Sequence, residues 1–178
     1  MSVLSGLKRF KKSSIKIGTH SGVFHCDEVL GTYMLQLILP DSVVVRSRDS
    51  EVLNQCDIVI DVGNEYNPSK YLFDHHQRGF NESVSTIIPG KPWATKLSSA
   101  GLIFCHFGKE VIKHILDDDS MKSDKLEAIF DHVYEDFIQE IDAIDNGFPM
   151  FDSEPRYRIT TNLSSRVNHL NKQWNTKD

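Results

Sequence analysis

Short runs of aliphatic and β-branched residues alternate with helical patterns in the first half of the chain, and this alternation constrains the fold most strongly. Strands are predicted over residues 15–19, 43–46, 57–61 and 71–74, and a helix is predicted over residues 26–39. The strand runs are continuously apolar, as expected when both faces of a sheet are covered. The pattern therefore predicts an α/β fold with a mostly parallel sheet flanked by helices.

The second half of the chain is predicted to be mostly helical. A helix capped by a serine is expected to run toward Leu116, and a second helix is predicted over residues 124–146. The pattern then weakens. A short strand is expected over residues 156–161 and a final helix over residues 163–170.

The chain of 178 residues suits one main domain, which is expected over residues 15–170. Residues 1–14 are expected to be a basic flexible leader. Residues 171–178 are expected to be a tail or the start of a linker to a further C-terminal domain. The longest apolar run, residues 29–39, is too short and too interrupted to span a bilayer, so no membrane partner is expected.

Charge and cysteine content bear on the compartment. The leader carries basic residues and no acid, which suits a mitochondrial presequence, a nuclear import signal or a plain extension of a cytoplasmic protein. Three cysteines at unrelated spacings indicate free thiols in a reduced, intracellular compartment. The formal net charge of −5 argues mildly against a surface built as a whole for nucleic acid.

Acidic and imidazole side chains lie at the ends of three of the predicted strands. They are His20, His25 and Asp27 after the first strand, Asp61 as the last residue of the third, and Asp74, His75 and His76 at the end of the fourth. Ligands of parallel α/β sheets gather outside the carboxyl ends of the strands, so these side chains should meet at one edge. A single histidine or aspartate is more often structural. Several segments that deliver such residues to one edge favour a metal site, because coordination satisfies buried carboxylates and imidazoles together.

The helix predicted over residues 124–146 adds a further candidate ligand. Asp142 and Asp145 both lie in its last turn, where the negative end of the helix disfavours anions. At 100° per residue, Asp145 borders the apolar stripe and Asp142 points nearly away from it. Asp145 is therefore the predicted ligand, and Asp142 is expected on a solvated face.

The candidate ligands are too numerous for one catalytic ion and suit two ions that share a carboxylate. They are His20, His25, Asp27, Asp61, His75 and Asp145. Asp61 follows the middle strand and is the best bridge. Mixed nitrogen and oxygen ligands suit Mn²⁺, with Zn²⁺, Fe²⁺, Co²⁺ or Mg²⁺ as alternatives. Two such ions typically activate water for in-line displacement on a phosphoester.

Cationic side chains near the same segments are candidates for phosphate binding. His76, Arg78, Lys91 and Lys96 lie in or just after this region. Lys91 and Lys96 are explained more simply as solvated surface charges. Cys26 lies between two candidate ligands and is expected to face the core.

These motifs together resemble the MYG family, the melanocyte-proliferating-gene exonucleases, within the DHH phosphoesterase superfamily. The matching stretches cover residues 17–28, 57–63, 73–78, 89–93, 95–103, 140–147 and 170–175. The resemblance implies a DHH phosphoesterase-like domain that binds two divalent metals, usually manganese, and has 3′-5′ exonuclease activity on RNA.

The resemblance also implies individual roles. His20, His25 and Asp61 would hold one ion, and the other would be held by Asp27, Asp61, His75 and Asp145. The implied catalytic residues are Asp61, His76, which contacts phosphate, and Asp74, which orients an imidazole. Substrate contacts are expected from His76, Arg78, Lys96, Ser98 and Ser99. Many superfamily members have an acid where this chain has His25, which favours an ion with more affinity for nitrogen.

Three functions stay open at this point. The first is a metal-dependent 3′-5′ RNA exonuclease that uses a water activated by two metals on single-stranded 3′ ends. The second is a small-phosphoester hydrolase that acts on pyrophosphate or short oligonucleotides. The third is a non-catalytic module in which metal only stabilises a binding domain. The sequence assigns no oligomeric state.

Overall fold

Five strands form one sheet in the computed structural model, which describes residues 14–172. The strands are β1 (Lys16–Thr19), β2 (Val43–Arg46), β3 (Ile58–Ile60), β4 (Tyr66–Asn67) and β5 (Leu72–Phe73). The helices are α1 (Cys26–Ile38), α2 (Ser50–Leu53), α3 (Val84–Ile87), α4 (Ser99–Leu116), α5 (Ser123–Val133), α6 (Gln139–Asp145) and α7 (Leu163–Asn168). A 3₁₀ turn at Pro68–Lys70 separates β4 from β5.

The strands lie in the order β2-β1-β3-β5-β4, and every neighbouring pair except the last is parallel. Ile17 of β1 pairs with Val44 on one side and with Ile58 on the other. The predicted α/β fold with a mostly parallel sheet is confirmed. The sequence pattern does not indicate β4, because a strand of two residues is too short to show a period.

The sheet has packed residues on both faces, as its apolar strands predict. On one face, α1 and α4 pack together over Ile17 and Ile60, which have no exposed surface. On the other face, Leu53 and Cys56 pack against Gly18. A Cβ at Gly18 would lie 3.0 Å from the sulfur of Cys56. A side chain at this position would therefore push that segment away from β1.

The helix predicted over residues 124–146 consists of three parts. Helix α5 ends at Val133, a π-helical turn occupies Tyr134–Ile138, and α6 follows directly. A π turn holds one residue more than an α turn, so α6 is rotated by about 100° relative to a straight continuation of α5. This rotation changes which side chains of α6 face the core.

The C-terminal part of the chain confirms one prediction and contradicts another. The final helix is present as α7, and its cap residue Asn162 accepts a hydrogen bond from the Ser165 backbone N–H at 2.8 Å. The short strand expected over residues 156–161 is wrong, because these residues form exposed bends and irregular backbone. A short β-prone segment becomes a strand only where a partner edge and a buried face are available.

The expected leader (residues 1–14) and tail (residues 171–178) lie almost entirely outside the described residues. The division into leader, domain and tail therefore stays a prediction. Within residues 14–172, no helix has both the length and the apolar character that crossing a bilayer requires.

Candidate metal centre

Three of the predicted ligands follow parallel strands and meet at the carboxyl edge of the sheet. His20 follows β1, Asp61 follows β3, and His75 lies just beyond β5. The Nε2 atom of His20 lies 3.3 Å from Oδ2 of Asp61, and Nε2 of His75 lies 3.4 Å from Oδ1 of the same carboxylate. The two imidazoles therefore approach different oxygens of Asp61, an arrangement that suits a shared ligand.

Two helices bring further carboxylates to the same edge. Asp27 lies in the first turn of α1, and Asp145 is the last residue of α6. The Nε2 atom of His75 is 3.8 Å from Oδ2 of Asp27 and 3.2 Å from Oδ2 of Asp145. Three carboxylates from distant parts of the sequence, including Asp61, thus surround one imidazole.

His25 joins this edge from the N-cap position of α1. Its side chain is exposed, and its ring centroid lies 5.0 Å from that of His20. The next residue, Cys26, turns inward and is buried in the core, as expected from its position between two candidate ligands. The start of α1 therefore directs His25 to the edge and Cys26 to the core.

Three groups of side chains have ligand atoms that all lie within 4.8 Å of one another. The groups are His20, His25 and Asp61; Asp61, His75 and His76; and Asp27, His75 and Asp145. Asp61 and His75 each belong to two groups, so the groups form one continuous set, the ligand cluster. The six predicted ligands all lie within it. Its carboxylate oxygens and imidazole nitrogens are ligand types that divalent cations accept.

Buried polar atoms without hydrogen-bond partners lie in the same place. Among the described residues they include Nε2 of His20, both carboxylate oxygens of Asp27, Oδ2 of Asp61 and both ring nitrogens of His75. Each unsatisfied buried polar atom costs roughly 1–3 kcal/mol. Divalent cations coordinated by these atoms would satisfy several of them at once. The residues present therefore fit bound metal ions.

The pKa shifts in the ligand cluster indicate a shortage of positive charge. Burial, together with the charges of Asp61 and Asp145, holds the pKa of Asp27 well above its ordinary value. Burial also raises the pKa of Asp145. Burial opposes the ionisation of Asp61 as well, but the imidazoles of His20 and His75 hold its pKa below the ordinary value. A bound cation would let Asp27 and Asp145 ionise beside the already ionised Asp61.

Asp61 has an unusual backbone conformation at the end of β3. Its φ angle is 57°, in the left-handed region that non-glycine residues rarely adopt. The hydroxyl of Ser99 donates a hydrogen bond to Oδ1 of Asp61 at 3.2 Å. Strained backbone of this kind concentrates at functional sites, where it aims a side chain that regular strand geometry would direct elsewhere.

Asp74 lies behind the ligand cluster and orients His76. Its Oδ1 accepts hydrogen bonds from Nδ1 and the backbone N–H of His76 at 2.7 and 3.1 Å, and its Oδ2 accepts one from the Asn64 N–H at 2.6 Å. Burial opposes ionisation of Asp74, but these bonds hold its pKa below the ordinary value. An ionised carboxylate only accepts, so Nδ1 of His76 carries a proton and Nε2 is left for another partner.

Asp142 is fully buried, so its prediction as a solvated residue is wrong. Its Oδ1 accepts from the N–H and the hydroxyl of Ser98 at 2.9 and 2.8 Å, and its Oδ2 accepts from the hydroxyl of Tyr134 at 2.9 Å. Burial raises the pKa of Asp142 to about 7. The physical reason for the error is the π turn at Tyr134–Ile138, which rotates α6 away from the straight-helix geometry. The hydroxyl of Ser98, a predicted substrate contact, is engaged in this buried network.

A cleft of about 230 Å³ opens beside the ligand cluster. Its lining consists of His20, His25, Arg48, Asp61, Val62, Gly63, Asn64, Asp74 and His76. Arg48, a cation suited to phosphate, is not among the site residues predicted from the sequence. A signal for it exists, because Arg48 follows β2 at the carboxyl edge, as the predicted ligands follow their own strands.

The other predicted phosphate ligands lie elsewhere. Neither Arg78 nor Lys96 lines the cleft among the residues that the structure describes. Arg78 is exposed, and the ammonium group of Lys96 lies 5.7 Å from the ring centroid of Phe80. Lys91 forms ion pairs with Glu127 and Asp131 of α5, in place of the free surface charge expected from the sequence.

A buried ion pair supports the loop that carries His25. Glu28 is buried, and Nη1 of Arg46 donates to its Oε1 and Oε2 at 2.9 and 3.0 Å. The Arg46 guanidinium also lies 4.3 Å from the ring centroid of Phe24. This pair is not predicted from the sequence, although Arg46 ends β2 at the same sheet edge. It neutralises an acid adjacent to Asp27 and helps to fix the chain on either side of it.

Fold and site together define a class: an α/β domain whose parallel sheet carries a carboxylate and imidazole metal centre at its carboxyl edge. The family model MYG1_exonuc, described as "Uncharacterised protein family (UPF0160)", matches residues 16–178. The chain therefore belongs to the MYG1 family, and the resemblance drawn from its motifs is confirmed.

Curated relatives agree with this assignment. The chain is 50% identical to the MYG1 exonucleases of Rattus norvegicus and Homo sapiens over 167 and 169 residues, which are 92% of this chain but 43% and 44% of those proteins. It is 41% identical to a MYG1 protein of Saccharomyces cerevisiae over 184 residues, 97% of this chain and 52% of that protein. The chain thus spans about half the length of the curated relatives it matches. No solved structure matches it significantly.

Proposed function

We propose that the chain is the phosphodiesterase domain of a metal-dependent nuclease, and that its reaction is 3′-5′ exonucleolytic hydrolysis of single-stranded RNA. The observation that carries this proposal is the convergence of His20, Asp61 and His75, whose buried ligand atoms lack hydrogen-bond partners. The name of the rat and human relatives, MYG1 exonuclease, supports the reaction class. A mitochondrial or nuclear location stays a prediction.

The ligand cluster would hold two divalent cations, with Mn²⁺ the preferred candidate. One group of ligands would be His20, His25 and Asp61, and the other Asp27, Asp61, His75 and Asp145. When bound, such a pair of ions supplies Lewis acidity and lowers the pKa of a water for in-line displacement at phosphorus. Asp61 presents one oxygen to each group, so its removal should affect both ions.

Side chains of the cleft would bind and orient the scissile phosphate. His76 donates Nδ1–H to Asp74, which fixes the ring and raises the pKa of His76, so that Nε2 can also carry a proton and donate to a phosphate oxygen. Its side chain is 55% exposed, so a substrate can reach it. Arg48 lines the same cleft with a permanent positive charge. Arg78 and Lys96 remain candidates for contacts to the part of the RNA that extends beyond the cleft.

The size of the cleft favours binding of the end of an RNA strand over binding of a continuous RNA strand. Its volume of about 230 Å³ is below the ~300–1,000 Å³ typical of pockets for drug-sized ligands. Such a volume suits a terminal phosphate and its sugar. The same observation favours a second candidate function, hydrolysis of a small phosphoester such as pyrophosphate or a short oligonucleotide.

Three substrates separate these functions: a long RNA labelled at its 5′ end, a dinucleotide and pyrophosphate. Each is incubated with the 178-residue chain in Mn²⁺ or in EDTA. The exonuclease proposal predicts stepwise shortening of the long RNA and release of mononucleotides in Mn²⁺ alone. Asp61→Asn should abolish this reaction. Asp41→Asn, which changes an exposed turn residue in the same way, is the matched control and should retain it.

Each outcome has a distinct meaning. Activity that persists in EDTA or in Asp61→Asn would refute a metal-dependent mechanism. Turnover of the dinucleotide or pyrophosphate without shortening of the long RNA would favour the second candidate. Tight Mn²⁺ binding without turnover of any substrate would indicate a non-catalytic, metal-stabilised module.

A further inference from the structure

One buried carboxylate connects α6 with the N-terminus of α4, and both helices have one end beside the ligand cluster. Asp142 of α6 has no exposed surface, and it accepts hydrogen bonds from the Ser98 N–H, the Ser98 hydroxyl and the Tyr134 hydroxyl. A carboxylate buried to this degree requires such partners. It also lies at the N-terminus of α4, where the positive end of the helix dipole favours an acceptor with negative charge.

The absence of a side chain at Gly101 makes room for this carboxylate. A Cβ at position 101 would overlap both carboxylate oxygens of Asp142. Gly101 lies in the first turn of α4, one turn beyond the cap residue Ser98. Hydrogen-bond donors therefore surround the Asp142 carboxylate on one side, and the backbone of Gly101 lies against it on the other. The space fits the carboxylate closely.

Two further side-chain hydrogen bonds align α6 with the segment that precedes α4. Nε2 of Gln139 donates to the hydroxyl of Thr95 at 2.9 Å. Nδ2 of Asn146 donates to the carbonyl of Lys96 at 3.0 Å. These bonds lie at the two ends of α6, on either side of the buried carboxylate. Together with it they fix the position of α6 along residues 95–98.

Both helices that Asp142 connects, α4 and α6, also contribute a residue at the ligand cluster. Ser99, the first residue of α4, donates to Asp61 at 3.2 Å, and Asp145, three residues after Asp142, lies 3.2 Å from His75. We propose that Asp142 is a positioning residue of the metal centre, which locks α6 to α4 and so sets the spacing between Asp145 and Asp61. The inference rests on the proposed metal-dependent function and deepens it.

Titration of the full chain with Mn²⁺ by calorimetry tests this role, with melting curves of the metal-free protein measured in parallel. Asp142→Ala removes the acceptor, and Gly101→Ala displaces it. Tyr134→Phe removes one donor and little else. Asp142→Asn is the conservative variant, because its amide oxygen can still accept from Ser98. Ile141→Val is the matched control, since it trims a buried neighbour outside the network.

We expect Asp142→Ala and Gly101→Ala to bind Mn²⁺ about 10–100-fold more weakly, the range typical when a residue that orients metal ligands is lost. Tyr134→Phe should weaken binding a few-fold. Asp142→Asn should restore most of the affinity that the alanine variant loses. Ile141→Val should lower the melting temperature and leave the Mn²⁺ affinity unchanged.

Wild-type Mn²⁺ affinity in folded Asp142→Ala would overturn the inference. An equal loss of affinity in Ile141→Val would also overturn it, because lost stability alone would then explain the effect. If the alanine variants do not fold, Tyr134→Phe decides the question, and unchanged affinity in that variant refutes the role. If the wild-type chain binds no Mn²⁺, the proposed function itself fails, and the inference fails with it.

Discussion

The Nε2 atom of His75 lies 3.4 Å from the Oδ1 atom of Asp61, although the two residues follow different strands of the sheet. Two ligand atoms that each lie about 2.0–2.2 Å from one cation are separated by roughly 3 Å. The other nitrogen–oxygen distances within the ligand cluster, from 3.2 to 3.8 Å, fall in a similar range. The spacing therefore suits groups arranged around cations better than groups bonded to one another.

Metal binding should stabilise the fold measurably. A ligand at 100 times its dissociation constant adds about 2.7 kcal/mol to the free energy of unfolding. In a domain of this size that corresponds to a rise of roughly 5–10 °C in melting temperature. Melting curves of the metal-free chain with increasing Mn²⁺ measure the rise. Asp61→Asn should lose most of it, and a wild-type melting temperature that does not respond to any divalent cation would contradict the prediction.

Asp27→Asn should have opposite effects on stability and on metal binding. Both carboxylate oxygens of Asp27 are buried without hydrogen-bond partners and face two other acids. Removal of the charge should raise the melting temperature of the metal-free protein by about 2–4 °C, equivalent to ~1 kcal/mol. The same change removes a ligand and should weaken Mn²⁺ binding at least tenfold.

Melting curves in EDTA and calorimetric titration with Mn²⁺ measure the two effects on the same samples. Asp41→Asn, at an exposed turn, is the matched control and should change neither quantity. A variant at position 27 that is less stable without metal would show that the carboxylate has partners in the apo protein, contrary to the geometry of the ligand cluster.

Asp74→Asn should reduce activity through His76 and leave metal content intact. The asparagine amide cannot accept both the Asn64 and the His76 hydrogen bonds, so the ring loses its fixed orientation. We expect kcat/KM to fall about 10–100-fold. His76→Gln should cause a similar loss. If the two residues act as one unit, the double variant loses little more than either single variant, whereas additive losses would contradict the coupling.

Much of the fold and of the site can be predicted from the sequence, because these features depend on patterns of apolar and polar residues that are close together in the chain. The apolar strand runs predict a parallel sheet, and the order of such a sheet brings the ends of β1, β3 and β5 together. His20, Asp61 and His75 could therefore be assigned to one edge before their distances were known. The serine cap of α4 and the inward direction of Cys26 are local features of the same kind, and both are confirmed.

The failures share a physical cause, since each depends on contacts that local pattern does not encode. The π turn before α6 has no sequence signature, yet it buries Asp142 against Ser98, a residue far away in the chain. From the sequence, Lys91 is predicted to be a solvated surface charge. In the structure it forms ion pairs with Glu127 and Asp131, which α5 places beside it. The two-residue strand β4 exists only because β5 offers it an edge.

A histidine outside the ligand cluster should control stability at acidic pH. The hydroxyl of Tyr66 on β4 lies 2.8 Å from Nε2 of His106 on α4, and the His106 ring packs against Phe73. Burial lowers the pKa of His106. Burial raises the pKa of Tyr66, so its hydroxyl stays protonated and donates to the unprotonated Nε2. Protonation of His106 would remove this acceptor and place a charge next to an apolar strand.

Because the pKa of His106 is lower in the folded state than in the unfolded state, the unfolded chain binds more protons below about pH 6.5. The stability that the neutral ring contributes is therefore complete above that pH and is lost as the pH falls toward the folded-state pKa. Urea unfolding in EDTA between pH 7.5 and pH 5 measures this loss. His106→Gln keeps an acceptor for Tyr66 but does not titrate, so its stability should fall less steeply with acid. Parallel pH profiles for the two proteins would show that the destabilising protonation occurs elsewhere.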